Sequence, residues 1–343
     1  MKSEPLIPST PLTIAWNFTY SCNMNCEHCY SRTEQGKELT QGQQSRILKK
    51  FIKAKVMNIN FGGGECLMRP SFFPIAQLAK KNGISIALSS NGWLINDAMA
   101  QKLASLPIDV VNISIDSADP YKHNKFRSTP GSFKKAITAI NLLKQQGIRI
   151  KMMSVLSRLN YQEVEELIKL AESLNVDEIE FKNYKPAGKG LANSSQYDLE
   201  PIEWKELYTK IIDMQKSASI SINLGAEPIL CLLGRSINNE DDKDLTSGSP
   251  CGKLSLCVKP NGDVTPCVYM NLVIGNMLKD DLPYMWKNSA ILKQLRCRKP
   301  EGKCKQCPHF ELCLGGCFSN TYNILGRMDG PDPHCWWQSK KDK

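Results

Sequence analysis

Three cysteines near the beginning of the chain have a spacing suited to metal chemistry. Cys22, Cys26 and Cys29 are separated by three and by two residues. Thiolates this close together can hold three corners of a 4Fe-4S cluster and leave its fourth iron open to a small molecule. Zinc with His28 as a fourth ligand is the alternative, but His28 adjoins Cys29, and zinc sites favour tighter cysteine pairs. The spacing therefore favours an iron-sulfur site.

A second array of cysteines lies beyond residue 250. Its first part has intervals of five and nine residues, and its second part has intervals of two, five, three and seventeen. Pairs separated by two residues commonly build structural zinc sites, so this array alone favours zinc. Together with the first group it favours iron-sulfur clusters, because both patterns would otherwise have to be coincidental. The members are Cys251, Cys257 and Cys267, followed by Cys304, Cys307, Cys313, Cys317 and Cys335.

Composition restricts where the protein acts. The chain has 343 residues, 14 cysteines and a formal net charge of +10. No apolar run approaches the roughly 20 residues that cross a bilayer, and residues 1–12 carry no signal-peptide pattern. These features predict a cytoplasmic protein without a membrane span, where so many thiols indicate metal or redox chemistry. The chain has no Lys/Arg-rich run, so nucleic-acid binding is not expected.

The elements that must position these cysteines follow a regular alternation. Short β-branched runs alternate with amphipathic helical patterns, which predicts an α/β fold with six βα units and a parallel sheet. The first cysteine group directly follows the first predicted strand, at the carboxyl end, where barrel folds place their active sites. The predicted strands are residues 13–19, 56–61, 84–88, 109–115, 148–155 and 178–181.

Changes in composition along the chain predict four segments. Residues 236–250 are polar, acidic and contain Ser and Gly, as is typical of a linker or surface loop. The cysteine-rich segment after them has few long apolar stripes, so its folding is expected to depend on metal. The predicted boundaries are an N-terminal tail at 1–12, the α/β core at 13–225, a linker at 226–250 and the cysteine-rich domain at 251–343.

The first cysteine group and the turn after the second strand resemble the radical SAM superfamily. Its hallmark is this three-cysteine spacing followed by an aromatic residue, here Tyr30. Gly62, Gly63, Gly64 and Glu65 match the family's glycine-rich turn, which binds the methionyl amino group of S-adenosylmethionine. Glycine allows a close approach of the backbone to a ligand, and the carboxylate can meet an ammonium. A glycine run by itself is more often an ordinary turn. The resemblance implies a partial (β/α)6 barrel.

Further matches stand at the ends of later strands. Ser90 and Asn91 follow the third strand, and Ser114 and Asp116 lie at the end of the fourth, where related enzymes contact the ribose and the methionyl carboxylate. Arg127 lies in a segment that resembles the one whose arginine reaches that carboxylate, and a guanidinium can clamp a carboxylate with two bonds. The alternatives are an ordinary Asn-Gly turn and a solvated charge at a helix end.

The second cysteine array resembles the SPASM extension of radical SAM enzymes. Four residues separate Gly262 from Cys267, which matches the Gly-x4-Cys element of that extension. The resemblance implies two further 4Fe-4S clusters with crossed ligation, each with four cysteines and no open iron. Auxiliary cluster I would be held by Cys251, Cys257, Cys267 and Cys317, and auxiliary cluster II by Cys304, Cys307, Cys313 and Cys335.

The resemblance also implies a reaction. Reductive cleavage of S-adenosylmethionine gives a 5′-deoxyadenosyl radical, which would modify a peptide or protein in a maturation that is oxidative overall. Modification or decarboxylation of a haem-precursor side chain is the alternative, and sulfatase maturation is a third. Val268 follows Cys267 where the sulfatase-maturing enzymes have an acidic residue, which argues against the third. An electron-transfer or zinc-binding module would explain neither the turn at 62–65 nor the six βα units.

Substrate recognition and reduction require partners. About a dozen residues precede the first predicted strand, which leaves no room for a leader-recognition domain there. A separate recognition protein, or direct recognition by the core and SPASM surfaces, is therefore expected for a peptide substrate. The implied electron donor is a flavodoxin or a ferredoxin.

Six other residues are candidates for contact with the substrate or cofactor. Cys66, Cys231 and Cys297 are outside the predicted ligand sets, and a buried cysteine is usually a small hydrophobe. Cys231 and Cys297 are also candidate hydrogen-atom donors, and Cys66 adjoins Glu65 near the predicted cofactor. The end of the sixth strand offers substrate-facing candidates, although exposed loop residues explain them equally well. These are Lys182, Tyr184 and Lys185.

Overall fold

The computed structural model describes residues 7–234 and 247–338. Residues 235–246, in the middle of the predicted linker, lie outside the described residues, as do both ends of the chain. Among the described residues, every helix is too short or too polar to cross a lipid bilayer. All 14 cysteines are free thiols.

A ten-stranded sheet forms the centre of the molecule. Its strands are β1 (Thr13–Thr19), β2 (Asn58–Gly63), β3 (Ser85–Ser90), β4 (Val110–Ser114), β5 (Ile150–Leu156), β6 (Glu178–Asn183), β7 (Ser221–Asn223), β8 (Ser255–Val258), β9 (Asp263–Thr265) and β10 (Gly275–Asn276).

Helices connect most of the strands and complete the cysteine-rich part. The α-helices are α1 (Gln41–Lys53), α2 (Phe72–Lys81), α3 (Asp97–Ala104), α4 (Pro120–Phe126), α5 (Ser132–Gln145), α6 (Val164–Ser173), α7 (Lys189–Ala192), α8 (Ser194–Tyr197), α9 (Pro201–Met214), α10 (Leu282–Asn288), α11 (Ala290–Arg296), α12 (Phe310–Cys313) and α13 (Phe318–Leu325). Short 3-10 helices span Cys66–Met68, Pro228–Leu233 and Gly302–Gln306.

The order of the strands confirms the predicted α/β class. Strands β1 to β7 are parallel and lie in chain order, with a helix in each connection up to β6. On the other side of β1 the sheet continues through β8, which is parallel to β1, and then through the antiparallel strands β9 and β10. The cysteine-rich segment therefore extends the same sheet that carries the barrel strands.

Helix α1 illustrates how the sequence builds these layers. The Thr40 hydroxyl accepts a hydrogen bond from Gln43 N, and the Gln43 side chain accepts one from Thr40 N, so both ends of a capping box are present. The helix then buries Ile47 and Phe51, and the Phe51 ring lies 5.3 Å from the ring of Trp16 on β1. Burial of one apolar stripe thus fixes the helix against the sheet.

The two faces of the sheet differ in polarity. On β3 to β6 the residues alternate, so that one set is fully buried beneath the helices and the other set is half-buried. Alternation of this kind places the second set on one common face of the strands. We call this half-buried set the inner face; among its members are Ser89, Asn112, Ser114, Glu180 and Lys182. The half-buried polar side chains of the inner face offer hydrogen-bonding groups for a ligand.

Candidate active site and cluster-binding regions

The first cysteine loop begins three residues after β1. Cys22 and Cys29 are half-buried and Cys26 is buried, and Cys29 N donates to the Cys26 carbonyl oxygen at 3.3 Å. Burial raises the pKa of the Cys26 thiol to about 12. A metal ligand must be a thiolate, so a bound metal must displace this proton. The three thiols thus fit a cluster as a donor set.

Contacts that were not expected from the sequence hold this loop in place. Glu27 N donates to the Phe126 carbonyl oxygen at 2.9 Å, and Lys189 N donates to the Cys29 carbonyl oxygen at 2.9 Å. The Lys189 ammonium donates to Glu27 Oε1 at 2.9 Å, while Asn193 Nδ2 donates to the Glu27 carbonyl oxygen at 2.9 Å. Segments more than 160 residues away in sequence therefore clamp the loop.

The glycines at the end of β2 and in the turn after it differ in their surroundings. A Cβ atom on Gly64 would stand 2.0 Å from the Ser21 carbonyl oxygen, and Gly63 has φ +103° with the backbone of Asn17 within 2.9 Å of its Cβ position. Both positions are thus closed to side chains by the chain itself. A Cβ on Gly62 would meet no atom within 4 Å. Only beside Gly62 does this turn leave space that a ligand can fill.

Glu65 joins the ends of β2 and β3. It is buried, and its Oε1 accepts hydrogen bonds from Ser90 Oγ at 3.1 Å and from Leu67 N at 3.3 Å. Its Oε2 accepts one from Asn91 N at 2.9 Å. Burial raises the pKa of Glu65, against the effect of these donors. A carboxylate has about four acceptor sites, so one more donor can be accommodated.

Asn91 and Ser114 lie at the ends of neighbouring strands. Asn91 Nδ2 donates to Asn23 Oδ1 at 2.9 Å and lies 4.0 Å from Cys22 Sγ, which brings it against the cysteine loop. Ser114 ends β4 on the inner face and is half-buried. The carboxyl ends of the parallel strands thus bring these residues to the same edge of the sheet. Their contacts with a cofactor stay predictions.

Asp116 and Arg127 form a buried ion pair. Arg127 Nε donates to Asp116 Oδ2 at 2.7 Å, and Val155 N donates to Asp116 Oδ1 at 3.0 Å. Burial by itself raises the pKa of Asp116, but the charge and hydrogen bond of Arg127 together with the nearby His28 and His123 lower it to about 2. Both oxygens of Asp116 therefore have partners within the protein. Arg127 uses only Nε in this pair, so its terminal nitrogens are available to a ligand.

The ring of Tyr30 lies between the two cysteine regions. Its hydroxyl donates to Asn17 Oδ1 at 3.1 Å, and its ring meets the ring of Tyr269 edge to face with the centroids 5.1 Å apart. Tyr269 stands two residues after Cys267. Tyr30 therefore connects the first cysteine loop to the part of the chain that carries the first set of auxiliary cysteines.

The cysteines predicted to hold auxiliary cluster I come from three parts of the fold. Cys257 lies on β8, Cys251 and Cys267 stand on either side of it in sequence, and Cys317 precedes α13. A hydrogen bond between the thiols of Cys251 and Cys267 lowers the pKa of Cys251 to about 7. Burial raises the pKa of Cys257 to about 12. This donor set fits a group that binds thiolates.

A cavity identifies the region predicted for auxiliary cluster II. All four predicted ligands line it, and Lys303, Phe310, Asp332 and Trp337 complete much of its wall. Four thiols around one cavity are the donor set of a fully ligated 4Fe-4S cluster. The predicted ligands are Cys304, Cys307, Cys313 and Cys335.

Zinc was the alternative for both cysteine groups. In residues 7–234 and 247–338, no three His, Cys, Asp or Glu side chains are close enough to share one metal ion. The thiolates of a cubane cluster bind different iron atoms, so the absence of a site for one metal ion does not test the presence of a 4Fe-4S cluster. The ring of His28 stacks on Phe126 with the centroids 4.3 Å apart, and burial lowers the pKa of His28 to about 4.

The three remaining thiols have different surroundings. Cys66 is buried, and its thiol donates to the Gly62 carbonyl oxygen at 3.2 Å. Cys231 is buried beside the auxiliary II cavity, and a hydrogen bond with Cys313 lowers the pKa of Cys231. Cys297 is exposed at the end of α11, so it is not a buried hydrophobe. No substrate contact follows for any of them.

The three candidates at the end of β6 have different surroundings in the structure. Tyr184 is fully buried, and its hydroxyl donates to the Gly190 carbonyl oxygen at 2.7 Å. Lys182 lies on the inner face and pairs with Glu180 at 2.7 Å. Lys185 is buried and donates to Cys317 Sγ at 3.3 Å. Only Lys182 keeps the position expected for a substrate contact.

Two family models match the chain. The model of the radical SAM superfamily matches residues 16–171, and that of the SPASM iron-sulfur cluster-binding domain matches residues 250–308. The chain belongs to the radical SAM superfamily and carries a SPASM domain. It is therefore an enzyme of the class that uses S-adenosylmethionine with an iron-sulfur cluster, and its SPASM domain implies auxiliary clusters. The family, fold class and enzyme class expected from the sequence are confirmed.

Individual proteins resemble the chain over nearly its whole length. An AdoMet-dependent heme synthase of Methanosarcina barkeri is 25% identical, over 97% of this chain and 98% of its own. The mycofactocin maturase MftC of Mycobacterium tuberculosis is 29% identical, over 95% of this chain and 83% of its own. The crystal structure of Streptococcus suis SuiB bound to precursor peptide SuiA has a TM-score of 0.81 and 18% identity, covering 96% of this chain and 77% of that one. This likeness shows the shared fold.

Proposed function

We propose that this enzyme modifies a peptide or protein substrate, using the radical that reductive cleavage of S-adenosylmethionine supplies. The observation that carries the proposal is the contact of Tyr30 with Tyr269, whose ring centroids are 5.1 Å apart. It sets the loop of the S-adenosylmethionine site against the auxiliary region, with the polar inner face beside both. A substrate bound there would lie beside the site of radical formation and within reach of an electron acceptor in the auxiliary region. The mycofactocin maturase and the peptide-bound SuiB support a peptide as the substrate.

Three 4Fe-4S clusters are part of the proposal. Cys22, Cys26 and Cys29 would hold the cluster that cleaves the cofactor, because three thiolates leave one iron open. The two SPASM sets named above would hold auxiliary clusters I and II. Since each set offers four cysteines, we assign both auxiliary clusters to electron transfer or structure rather than to substrate binding.

The cofactor contacts assign distinct tasks to the residues at the strand ends. The open space beside Gly62 admits the methionyl group, and Glu65 accepts a bond from its ammonium. The terminal nitrogens of Arg127 bind its carboxylate, while Asp116 holds Arg127 in position from behind at 2.7 Å. Ser90, Asn91 and Ser114 complete the polar surroundings of the ribose.

The enzyme also needs partners. Cleavage consumes one electron per cofactor molecule, which we assign to a flavodoxin or a ferredoxin. A separate leader-recognition protein would present a peptide substrate, unless the core and SPASM surfaces bind it directly. We place the protein in the cytoplasm, because a reducing compartment keeps cysteines available as the thiolates that the proposed clusters need.

Modification of a haem precursor is the second candidate. The heme synthase of Methanosarcina barkeri matches over 98% of its own length, more than the 83% of the mycofactocin maturase. The ammonium of Lys182 on the inner face would suit a propionate carboxylate. The reaction would then be loss of carbon dioxide from a side chain.

One experiment separates the two candidates. The reconstituted enzyme is incubated without oxygen with S-adenosylmethionine, a strong reductant and either short candidate peptides or an iron porphyrin that carries propionates. Mass spectrometry then reads the products. Loss of two hydrogens from a peptide supports the maturase, whereas loss of carbon dioxide from the porphyrin replaces it with the second candidate. Cofactor cleavage with no change in any peptide from the surrounding genome region would contradict the peptide assignment.

A further inference from the structure

A buried lysine contacts one of the proposed cluster ligands. Lys185 is 9% exposed, and its Nζ lies 3.3 Å from Cys317 Sγ. The same Nζ lies 2.9 Å from Glu227 Oε1 and 3.1 Å from Glu227 Oε2. The lysine and the cysteine are 132 residues apart in sequence. Three segments of the chain therefore meet around one ammonium group.

Both ends of this contact are fixed. Lys185 lies two residues after the end of β6, and its carbonyl oxygen accepts a hydrogen bond from Ala187 N at 2.8 Å. Cys317 N donates to the buried carboxylate of Asp332 at 2.7 Å, so the start of α13 is held as well. The contact is thus part of a rigid arrangement rather than a chance approach of a long side chain.

The contact sets Lys185 apart from the other charged side chains near the proposed ligands. Leaving Lys253 aside, Lys185 is the only lysine or arginine of the described ranges whose nitrogen lies within hydrogen-bond distance of a cysteine sulfur. Cys22 has an amide 4.0 Å away, and Cys29 has the Ser31 hydroxyl at 3.6 Å. The charged donor is specific to the set proposed for auxiliary cluster I.

Accepting the three-cluster assignment of the proposed function, we propose that Lys185 sets the reduction potential of auxiliary cluster I by donating a charged hydrogen bond to the ligand sulfur of Cys317. Reduction adds one negative charge to a cluster. A buried ammonium on a ligand sulfur stabilises that charge, since hydrogen bonds to sulfur and local charge are the protein's means of setting cluster potentials. Lys185 therefore raises the potential of this cluster.

A raised potential of auxiliary cluster I would help an oxidative reaction. When a substrate C–H bond is oxidised by two electrons, one electron leaves with the hydrogen atom taken by the 5′-deoxyadenosyl radical. The second electron must pass to an acceptor, and a second hydrogen of the substrate leaves to solvent as a proton when the new bond of the product forms. A raised potential makes auxiliary cluster I a better acceptor of that one electron. Lys185 is thus a positioning residue for electron transfer and does not touch the substrate.

The ion pair between Lys185 and Glu227 determines which variants can test the role of Lys185. Removal of the lysine alone would leave the Glu227 carboxylate buried without a counter-charge, which is strongly destabilising. The test variant is therefore Lys185→Met combined with Glu227→Gln. Lys185→Arg retains a charged donor. Lys151→Gln is the control, because Lys151 pairs with two carboxylates at 2.9 and 3.0 Å and has no cysteine contact.

The measurement is a potentiometric titration of full-length reconstituted protein, followed by electron paramagnetic resonance. Each variant is made in a Cys22/Cys26/Cys29→Ala background, so that only the auxiliary clusters contribute. In the double variant, the ratio of reduced to oxidised protein at a fixed potential should fall about tenfold for one cluster, a shift of ~59 mV to lower potential. The reduction potentials of the Lys185→Arg and Lys151→Gln variants should stay close to those of the background protein.

The possible failures are distinguishable. Unchanged potentials in a double variant that retains its iron would overturn the role of Lys185 and leave the cluster assignment intact. If that variant loses iron, Lys185→Gln combined with Glu227→Gln, which retains a neutral donor at position 185 and leaves no unpaired carboxylate, is titrated instead and must also lower the potential. A background protein with about four iron or fewer would overturn the cluster assignment of the proposed function and this inference with it.

Discussion

Gly64 lies so close to Ser21 that a Cβ atom on residue 64 would stand 2.0 Å from the Ser21 carbonyl oxygen. Hydrogen bonds fix this approach, since Gly64 N donates to the Thr19 carbonyl oxygen at 2.8 Å and Glu65 N donates to that of Ser21 at 2.8 Å. The residue before the first cysteine is thus tied to the glycine-rich turn. The turn therefore supports the cluster loop as well as bordering the cofactor space.

Two substitutions in this turn should separate its two tasks. Gly64→Ala should destabilise the protein by roughly 1–3 kcal/mol, as overpacking does, and should reduce iron at the first cysteine loop. Gly62→Ala should keep its stability and iron but weaken the binding of S-adenosylmethionine, because its Cβ enters the open space beside the turn. Anaerobic denaturation, iron analysis and equilibrium dialysis measure these effects. Equal cofactor affinity in wild type and Gly62→Ala would contradict our placement of the methionyl group.

The pair of Asp116 and Arg127 leads to a prediction about both stability and binding. Asp116→Asn should cost roughly 3–5 kcal/mol, because it leaves a buried guanidinium without its carboxylate. It should also weaken cofactor binding, because Asp116 holds Arg127 in position through the 2.7 Å contact. Arg127→Met should remove about 1.5–3 kcal/mol of binding, the range for a hydrogen bond to a charged group. Chemical denaturation and equilibrium dialysis test both.

An exposed pair serves as the control for this experiment. Glu165 and Lys169 are 2.7 Å apart on the surface of α6, and Glu165→Gln should leave the stability of the protein essentially unchanged, because solvent screens an exposed pair. If Asp116→Asn had an effect as small as Glu165→Gln, the buried pair would not be what holds Arg127.

The lowered pKa of Asp116 fixes the pH range in which its pair contributes. The folded pKa is about 2, below the ordinary value of 3.8, so the contribution is fully present above pH 4 and is lost as the pH falls toward 2. Stability should therefore show no dependence on this group between pH 6 and pH 8. The free energy of unfolding of Asp116→Asn and of the wild type, measured by denaturation, should differ by a constant amount across that range. A difference that changes with pH there would contradict the low pKa of Asp116.

The strands were the most predictable part of the fold. β1 has the predicted bounds of 13–19, and the other five strands overlap their predicted ranges with ends shifted by at most two residues. Alternation of buried and half-buried residues makes such strands visible. β7 was missed, because only Ile222 of its three residues is buried and so it carries no pattern. The extension of the sheet by β8 was also not predicted, since pairing partners are not encoded locally.

The site was predictable where it depends on strand ends. Glu65, Ser90 and Asn91 meet because parallel strands end at a common edge, and sequence order alone indicated this. The clamp of Lys189 on Glu27 joins residues 162 apart, and the contact of Lys185 with Cys317 joins residues 132 apart. Nothing in the local sequence marks these contacts, because they depend on how loops pack after the sheet has formed.

The clamp on the first cysteine loop leads to a further prediction. Lys189→Met removes the ammonium that meets Glu27 Oε1 at 2.9 Å and the Asn25 carbonyl oxygen at 3.0 Å. We expect iron to leave the first loop faster in the presence of a chelator, while the auxiliary clusters retain theirs. Lys169→Met, a change at an exposed lysine, is the matched control. Equal release rates in the two variants would show that the clamp does not protect the cluster.

Iron content tests the assignment of the clusters directly. Three 4Fe-4S clusters give about twelve iron and twelve sulfide per chain, and the Cys22/Cys26/Cys29→Ala variant should keep roughly eight iron. That variant should also make no 5′-deoxyadenosine, whereas the wild type with strong reductant should make it slowly even without substrate. Iron and sulfide analysis together with chromatography of the products give the result. Stoichiometric zinc without a brown chromophore would refute the assignment.

The auxiliary clusters should serve the turnover of the substrate more than the cleavage of the cofactor. Each proposed auxiliary set offers four cysteines, so neither cluster has an open iron for a substrate. An oxidative reaction must export one electron after hydrogen abstraction, and the auxiliary region adjoins the first cysteine loop where Tyr30 meets Tyr269. Cys251→Ala or Cys313→Ala should therefore abolish substrate modification while 5′-deoxyadenosine still forms under strong chemical reductant. Circular dichroism and iron analysis must first show that fold and core cluster survive, because metal binding and folding are coupled. A well-folded variant that lacks both auxiliary clusters and still modifies substrate at the wild-type rate would show that they are dispensable for electron export.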